Sequence, residues 1–235
     1  MFNPRPRIDV LPIDGTHACY VIDDALSQPE QLVEYARANR ERFEMAPYNA
    51  YPGLELRMPD DFSARLDDFF RLHVRARLGA RRTQRMYSRL SMATLAPEAL
   101  QPPQWICHRD RMIFAANQCI AASVLYLFHD ASLGGTAFFV AKKPARTIDV
   151  MIHESGTLAA EDFASKYGVE PGYLTGSNDY FEKVLAVPAK WNRLIFYDGD
   201  VFHTGDTRAA EKLSDDPDTG RLTLNGFFTC SKRAI

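Results

Sequence analysis

His108 and Asp110, with His203 and Arg221 far downstream, are the residues of this 235-residue chain whose types and spacing most directly suggest chemistry. Two imidazoles and one carboxylate on one face of a ferrous ion leave the opposite face open for a co-substrate and O₂. On a strand, positions two apart project to the same side, so His108 and Asp110 can converge on one ion while Arg109 points away. Taken alone, the pair is weak evidence, because His-x-Asp arises often by chance. His203 strengthens it. It follows Leu194–Tyr197 and the turn Asp198-Gly199-Asp200, so a second strand opens with a histidine that can arrive from the neighbouring strand. The plain alternative is a histidine hydrogen-bonded at a strand end. Arg221 opens Arg221-Leu222-Thr223-Leu224-Asn225, in which Arg221, Thr223 and Asn225 share one face and the leucines the other. A basic, hydroxyl-bearing face on an apolar strand needs water or an anionic partner. A dicarboxylic 2-oxo acid would supply one, chelating iron at one end and meeting Arg221 and Thr223 at the other. An ordinary surface strand of alternating polarity is the alternative.

The elements that must position these residues read as mainly β with supporting helices. Residues 1–235 are expected to form a single domain, with 1–84 an α/β buttress and 85–230 a β core interrupted by an insertion at 141–187. Cys19–Ile22 reads as a strand. Ser27-Gln28-Pro29-Glu30 has the pattern of a capping box, with a helix to follow. Phe62, Leu66, Phe69, Phe70 and Val74 form one apolar stripe of a second helix beginning near Pro59, with Gly79 as its expected end. Short apolar runs then recur between Gly- and Pro-rich turns, at Met86–Leu95, Trp105–His108, Cys119–Phe128, Thr136–Val140, Arg193–Tyr197 and Leu222–Cys230. That rhythm suggests a jelly roll or barrel. Within 141–187 a helix is expected over Ala160–Tyr167. Tyr167, Tyr173, Tyr180 and Phe181 could line a pocket or simply pack.

The apolar fraction of 46% suffices for a sizeable core, and a formal net charge of −2 gives no reason to expect nucleic acid or a membrane surface as partner. No run approaches the length of a membrane span. The first residues lack the apolar core of a signal peptide, which favours the cytoplasm. Cys19, Cys107, Cys119 and Cys230 form no Cys-x-x-Cys pair and are expected to be buried free thiols. His17, His73, His129 and His153 are expected to be surface or packing residues. His129-Asp130 imitates a metal pair, but adjacent strand residues face apart.

From about residue 85 to 230 the sequence resembles the 2-oxoglutarate/Fe(II)-dependent oxygenases, specifically their prolyl-4-hydroxylase-like branch. The resemblance is carried in order by His108-x-Asp110, Tyr126-Leu127-Phe128, Gly134-Gly135-Thr136-Ala137-Phe138, the strand before His203, and Arg221–Phe228. It implies a double-stranded β-helix (jelly roll) with Fe(II) on His108, Asp110 and His203. It also implies 2-oxoglutarate as co-substrate on Arg221 and Thr223, with Tyr126 hydrogen-bonding its carboxylate. The chain departs from the pattern in three ways. The His203–Arg221 interval is lengthened by the polar stretch Glu211–Thr219, arginine stands where that branch often has lysine, and no second oxoglutarate-binding tyrosine is evident upstream of His108. The implied activity is hydroxylation of a C–H bond in an amino acid, peptide or small molecule. Asp110 fills the carboxylate position that a halogenase of this superfamily leaves vacant. The rival readings are a non-catalytic jelly-roll binding protein and a cupin-like metal protein that needs no oxo acid.

Overall fold

A computed structural model describes residues 1–45, 51–110, 115 and 117–232. Two antiparallel sheets face each other. The larger holds seven strands: β1 (Asp9–Pro12), β2 (Ala18–Ile22), β3 (Gly53–Arg57), β4 (Ala80–Ala93), β5 (Gln118–Tyr126), β8 (Leu194–Asp198) and β10 (Arg221–Lys232), in the order β1-β2-β8-β5-β10-β4-β3. The smaller holds β6 (Thr136–Ala141), β7 (Phe181–Val187) and β9 (Phe202–Gly205), in the order β7-β6-β9. This is the jelly-roll arrangement. β5 and β6 do not form a hairpin: the turn at 129–135 carries the chain from one sheet to the other, and the turn at 199–201 does the same between β8 and β9.

Three apolar clusters divide the interior. Outside the large sheet, helix α2 (Asp60–His73) lays Leu66, Phe69 and Phe70 against Phe196, Leu224 and Phe228, with the Phe70 and Phe228 rings 4.2 Å apart. Burying each such side chain contributes about 1.5–3 kcal/mol. Asp60 and Asp61 open this helix and Arg71 and His73 close it, as its dipole favours. The helix ends at His73. Gly79, at φ +68°, lies beyond it and makes the turn into β4. Helix α1 (Glu30–Ala38) is N-capped by Pro29 without a side-chain hydrogen bond. The Ser27 hydroxyl donates to the Met1 carbonyl instead, so the capping box does not form.

Between the sheets, Tyr126, Phe138, Ile195 and Tyr197 pack together. Outside the small sheet, Phe163, Met151 and Trp105 cover Phe181 and Phe202. This outer layer is built by helices α3 (Ala145–Ser155) and α4 (Ala160–Tyr167), the latter stopped by Gly168 in the left-handed conformation. Phe181–Val187 pairs with β6 as part of the small sheet, so the helical interruption ends at 180 rather than 187. Glu182 and Lys183 disguise this strand in the sequence: Glu182 faces outward, whereas Lys183, on the opposite face, pairs with Asp206 at 2.8 Å. Residues 1–84 supply both edges of the large sheet, β1-β2 at one end and β3 at the other, as well as α1 and α2. No helix among the described residues is long and apolar enough to cross a membrane.

Asp23 ties the end of β2 to the start of β8. It accepts from Arg193 Nε at 2.6 Å, Arg193 Nη2 at 3.1 Å and Lys190 Nζ at 2.8 Å. Hydrogen bonding to Arg193 lowers its pKa from 3.8 to about 2. A depressed carboxylate stabilises the fold above its unfolded pKa and loses that contribution as pH falls through the folded one. Asp23→Asn is therefore expected to cost about 1 kcal/mol at pH 7 for this part-exposed cluster. It should also flatten the fall in stability between pH 4 and 2, as measured by urea unfolding across that range.

Candidate active site

His108 and Asp110 lie on an extended segment pinned at both ends. His108 N–H donates to the His203 carbonyl at 3.0 Å, His203 N–H donates back to the His108 carbonyl at 2.9 Å, and Asp110 N–H donates to the Gly199 carbonyl at 2.8 Å. Only His108 forms a β-bridge, to His203, and no regular strand carries the pair. The extended backbone alone gives both side chains the same direction. Gly199 permits the crossing, since a Cβ there would lie 3.1 Å from both Asp110 Oδ2 and Ile120 Cγ2.

These crossings bring three side chains from two separated segments to one point. His108 Nε2 is 3.8 Å from Asp110 Oδ1, and His203 Nε2 is 3.6 Å from Asp110 Oδ2. One ligand atom from each residue lies within 4.8 Å of the other two. The His203 ring is wedged edge-on against Tyr197 at 4.7 Å. Its Nδ1 sits 2.8 Å from the Val201 carbonyl, so Nδ1 carries the proton and Nε2 presents a lone pair. That lone pair faces Asp110 Oδ2, which is buried and has no hydrogen-bond partner among the described residues. Two acceptors facing each other in a buried place require a cation or a proton between them. Burial raises the pKa of Asp110, against the pull of His203 and Arg89. Burial, then His203 and Arg89, pushes His108 down, towards the neutral imidazole that ligates metals. The donor set and the orphaned oxygen fit a divalent metal ion of the 2-His-1-carboxylate type.

A cavity opens from this point between the sheets, and Arg221, Thr223 and Asn225 of β10 line it, while Leu222 and Leu224 point into the opposite core. Arg221 is 4% exposed. Its Nε donates to the carbonyls of Leu133 and Gly134, both at 3.1 Å, and its Nη2 to that of Gly135 at 2.8 Å. No carboxylate pairs with it and Nη1 has no hydrogen-bond partner among the described residues. The fork is thus largely spent on backbone, which aims the group while its delocalised charge has no carboxylate beside it among the described residues. Gly134 and Gly135 let the turn that offers those carbonyls pack closely against neighbouring backbone. A Cβ at Gly134, where φ is +86°, would lie 2.0 Å from the Asp206 carbonyl oxygen, and one at Gly135 1.9 Å from that of Val187.

A model of the family of unknown function DUF6445 matches residues 4–228. This chain belongs to the DUF6445 family. Among solved structures, this DUF6445 protein is similar to a prolyl-4-hydroxylase from Pseudomonas putida. The identity is 16%, 93% of this chain and 95% of that one are covered, and the TM-score is 0.48. It is also similar to HygX from Streptomyces hygroscopicus with nickel and 2-oxoglutarate bound, at 12% identity, with 93% and 84% covered and a TM-score of 0.48. No curated protein matches the chain.

The structure places the other sequence candidates of the DUF6445 chain variously. Tyr126 is fully buried behind the cavity wall, its hydroxyl 2.8 Å from that of Thr136, and it is Thr136 that lines the cavity. Thr223 lines the cavity, its hydroxyl 3.3 Å from the Ser91 carbonyl. Of the insertion aromatics, Tyr173 reaches the cavity and donates to the Leu95 carbonyl at 2.7 Å. Tyr167 and Tyr180 pack edge-on against each other, and Phe181 packs on Phe202. Arg109 donates to Asp149 of α3 and lies over the Phe202 ring. His129 stacks on Trp191, and the Asp130 carboxylate accepts from Ser132 N–H. Cys19, Cys107 and Cys230 are buried free thiols, whereas Cys119, also free, is part exposed.

Two residues of the DUF6445 site escape a reading by sequence. Tyr51 lies upstream of His108, lines the cavity, and places its hydroxyl beside Thr223 and the Arg221 charge. Arg89 lines the cavity from β4. Neither sits in a motif. Arg89 could have been suspected as an arginine within an apolar strand pattern, since a charged group there requires a partner.

Proposed function

We propose that this protein is an Fe(II)- and 2-oxoglutarate-dependent oxygenase that hydroxylates a C–H bond of an amino-acid, peptide or small-molecule substrate. The observation that carries this is the buried, unpartnered Asp110 Oδ2 facing the lone pair of His203 Nε2. That is a cation site with two imidazoles and one carboxylate. His108, Asp110 and His203 hold the metal. Arg221 supplies a fixed positive charge on the same cavity for the distal carboxylate of the oxo acid, with the Thr223 hydroxyl beside it. Tyr126 acts through Thr136, fixing that hydroxyl on the wall. When bound, ferrous iron and the oxo acid together supply the activation of O₂. The protein's part is to orient the reactants and to keep water from the reacting centre. Four free cysteines suit a reducing compartment, which supports a cytoplasmic location.

The test is ordered binding followed by turnover. Calorimetric titration with Mn(II) should show one site, and 2-oxoglutarate should then bind only to the Mn(II)-loaded protein. With Fe(II), 2-oxoglutarate and O₂, succinate should accumulate. A protein that binds the metal but never the oxo acid is a metal-binding jelly roll of the cupin kind, and one that binds neither is not an oxygenase.

A further inference from the structure

Arg89 is a second arginine in the same cavity, and anchoring of the oxo acid on Arg221 leaves it unexplained. It stands on β4 opposite Asn225 of β10, and Phe227 is the next β10 residue on that face. Its Nη1 donates to Glu55 Oε2 at 2.7 Å, with only 23% and 10% of the two side chains exposed. Its Nε is buried and has no hydrogen-bond partner among the described residues. Glu55 thus holds one corner of the guanidinium and leaves the Nε/Nη2 edge, whose parallel N–H groups match the two oxygens of a carboxylate. The group also lies 4.7 Å from the centre of the Phe227 ring, which stacks on Tyr87 at 5.0 Å and 20°. Phe227 and Tyr87 are both part exposed and form a shelf on the same face of β4 and β10. Arg89 and Phe227 line the same cavity as His108, Asp110 and His203, so the edge and the near end of the shelf face the space beside the metal-binding residues. Arg221 cannot take this role as well, because backbone carbonyls hold its Nε and Nη2.

We propose that Arg89 is the specificity-determining residue for the primary substrate: its Nε/Nη2 edge binds a carboxylate of a compound whose apolar body rests on the Phe227–Tyr87 shelf. This deepens the oxygenase reading and rests on it. A carboxylate accepts both N–H groups of the edge, whereas a neutral amide offers one acceptor and no charge. The site therefore selects acids over their amides.

The experiment uses the full chain loaded with Mn(II) and 2-oxoglutarate, with 3-phenylpropionate and 3-phenylpropanamide as probes. The readouts are calorimetric affinity and broadening of the probe's proton resonances by Mn(II), which reports proximity to the metal. In the wild type the acid should bind at least about tenfold more tightly than the amide, as expected for a charge-assisted bidentate contact, and its resonances should broaden. Arg89→Gln, which keeps a donor for Glu55, should erase the preference. Arg89→Lys should keep part of it. Both variants should retain the wild-type affinity for 2-oxoglutarate. Equal binding of acid and amide, absence of broadening, or acid binding unchanged in Arg89→Gln overturns the proposal. So does a loss of 2-oxoglutarate affinity in Arg89→Gln, which would assign Arg89 to the oxo acid. Failure of the wild type to bind Mn(II) or 2-oxoglutarate at all overturns the oxygenase reading itself and is seen before any probe is added.

Discussion

Asp110→Ala is expected to lower the affinity for Mn(II) by at least about 100-fold and to abolish succinate formation, while leaving the metal-free fold intact. Loss of partners that merely orient metal ligands costs about 10–100-fold, and Asp110 is the one anionic donor of the set. The fold survives because, without a metal, Asp110 contributes strain. Its carboxylate is buried, Oδ2 has no hydrogen-bond partner among the described residues, and burial raises its pKa. An unsatisfied buried acceptor costs about 1–3 kcal/mol. Asp110→Asn should therefore melt higher than the wild type in metal-free buffer at pH 7, because the amide can donate to the His203 Nε2 lone pair and carries no charge. The wild type should overtake it once Mn(II) is added. Calorimetry and thermal melts with and without Mn(II) measure both effects. Wild-type Mn(II) affinity in Asp110→Ala would remove this residue from the ligand set.

Arg221→Ala is expected to weaken 2-oxoglutarate binding to the Mn(II)-loaded protein by roughly 30-fold or more. Removing one partner of a buried charge pair costs about 2–5 kcal/mol. Arg221 also holds the Leu133, Gly134 and Gly135 carbonyls, so the same change should destabilise the turn entering β6. Arg221→Lys separates the two consequences. It keeps the charge, but a single ammonium cannot reproduce the planar arrangement of donors. Its affinity for 2-oxoglutarate should fall between wild type and alanine, with a smaller loss of stability. Unchanged oxo-acid affinity in Arg221→Lys and Arg221→Ala alike, with Mn(II) binding intact, would falsify the anchor. Titration of 2-oxoglutarate followed by calorimetry, with urea unfolding in parallel, distinguishes these outcomes.

Much of this architecture is legible in the residues because it depends on short-range periodicity. Alternation along Arg221–Asn225 separates a polar face from an apolar one without knowledge of the neighbouring strands, and those faces do become cavity and core. The stripe Phe62–Phe70 predicts α2 in the same way, and Ala160–Tyr167 predicts α4, with Gly168 at its end. The errors fall where local pattern and tertiary contact compete. Ser27 abandons its cap for the Met1 carbonyl, and β7 carries a lysine on its inner face whose charge only Asp206, 23 residues on, explains. His108-x-Asp110 is extended because His203 and Gly199 hold it, although no strand forms there.

The sequence by itself determined which donors exist and which face of each strand they occupy, because a side chain's direction follows from a two-residue backbone repeat. It could not determine which faces meet. Only the tertiary structure set Asp110 Oδ2 against the lone pair of His203 across the gap between segments. It alone turned Arg221 inward onto three backbone carbonyls and moved the Tyr126 hydroxyl behind Thr136. It also brought Arg89 and Tyr51 to a cavity that no motif announces. These are contacts between positions from ten to more than eighty residues apart. They are decided by strand order and sheet-to-sheet packing, which local spacing does not encode.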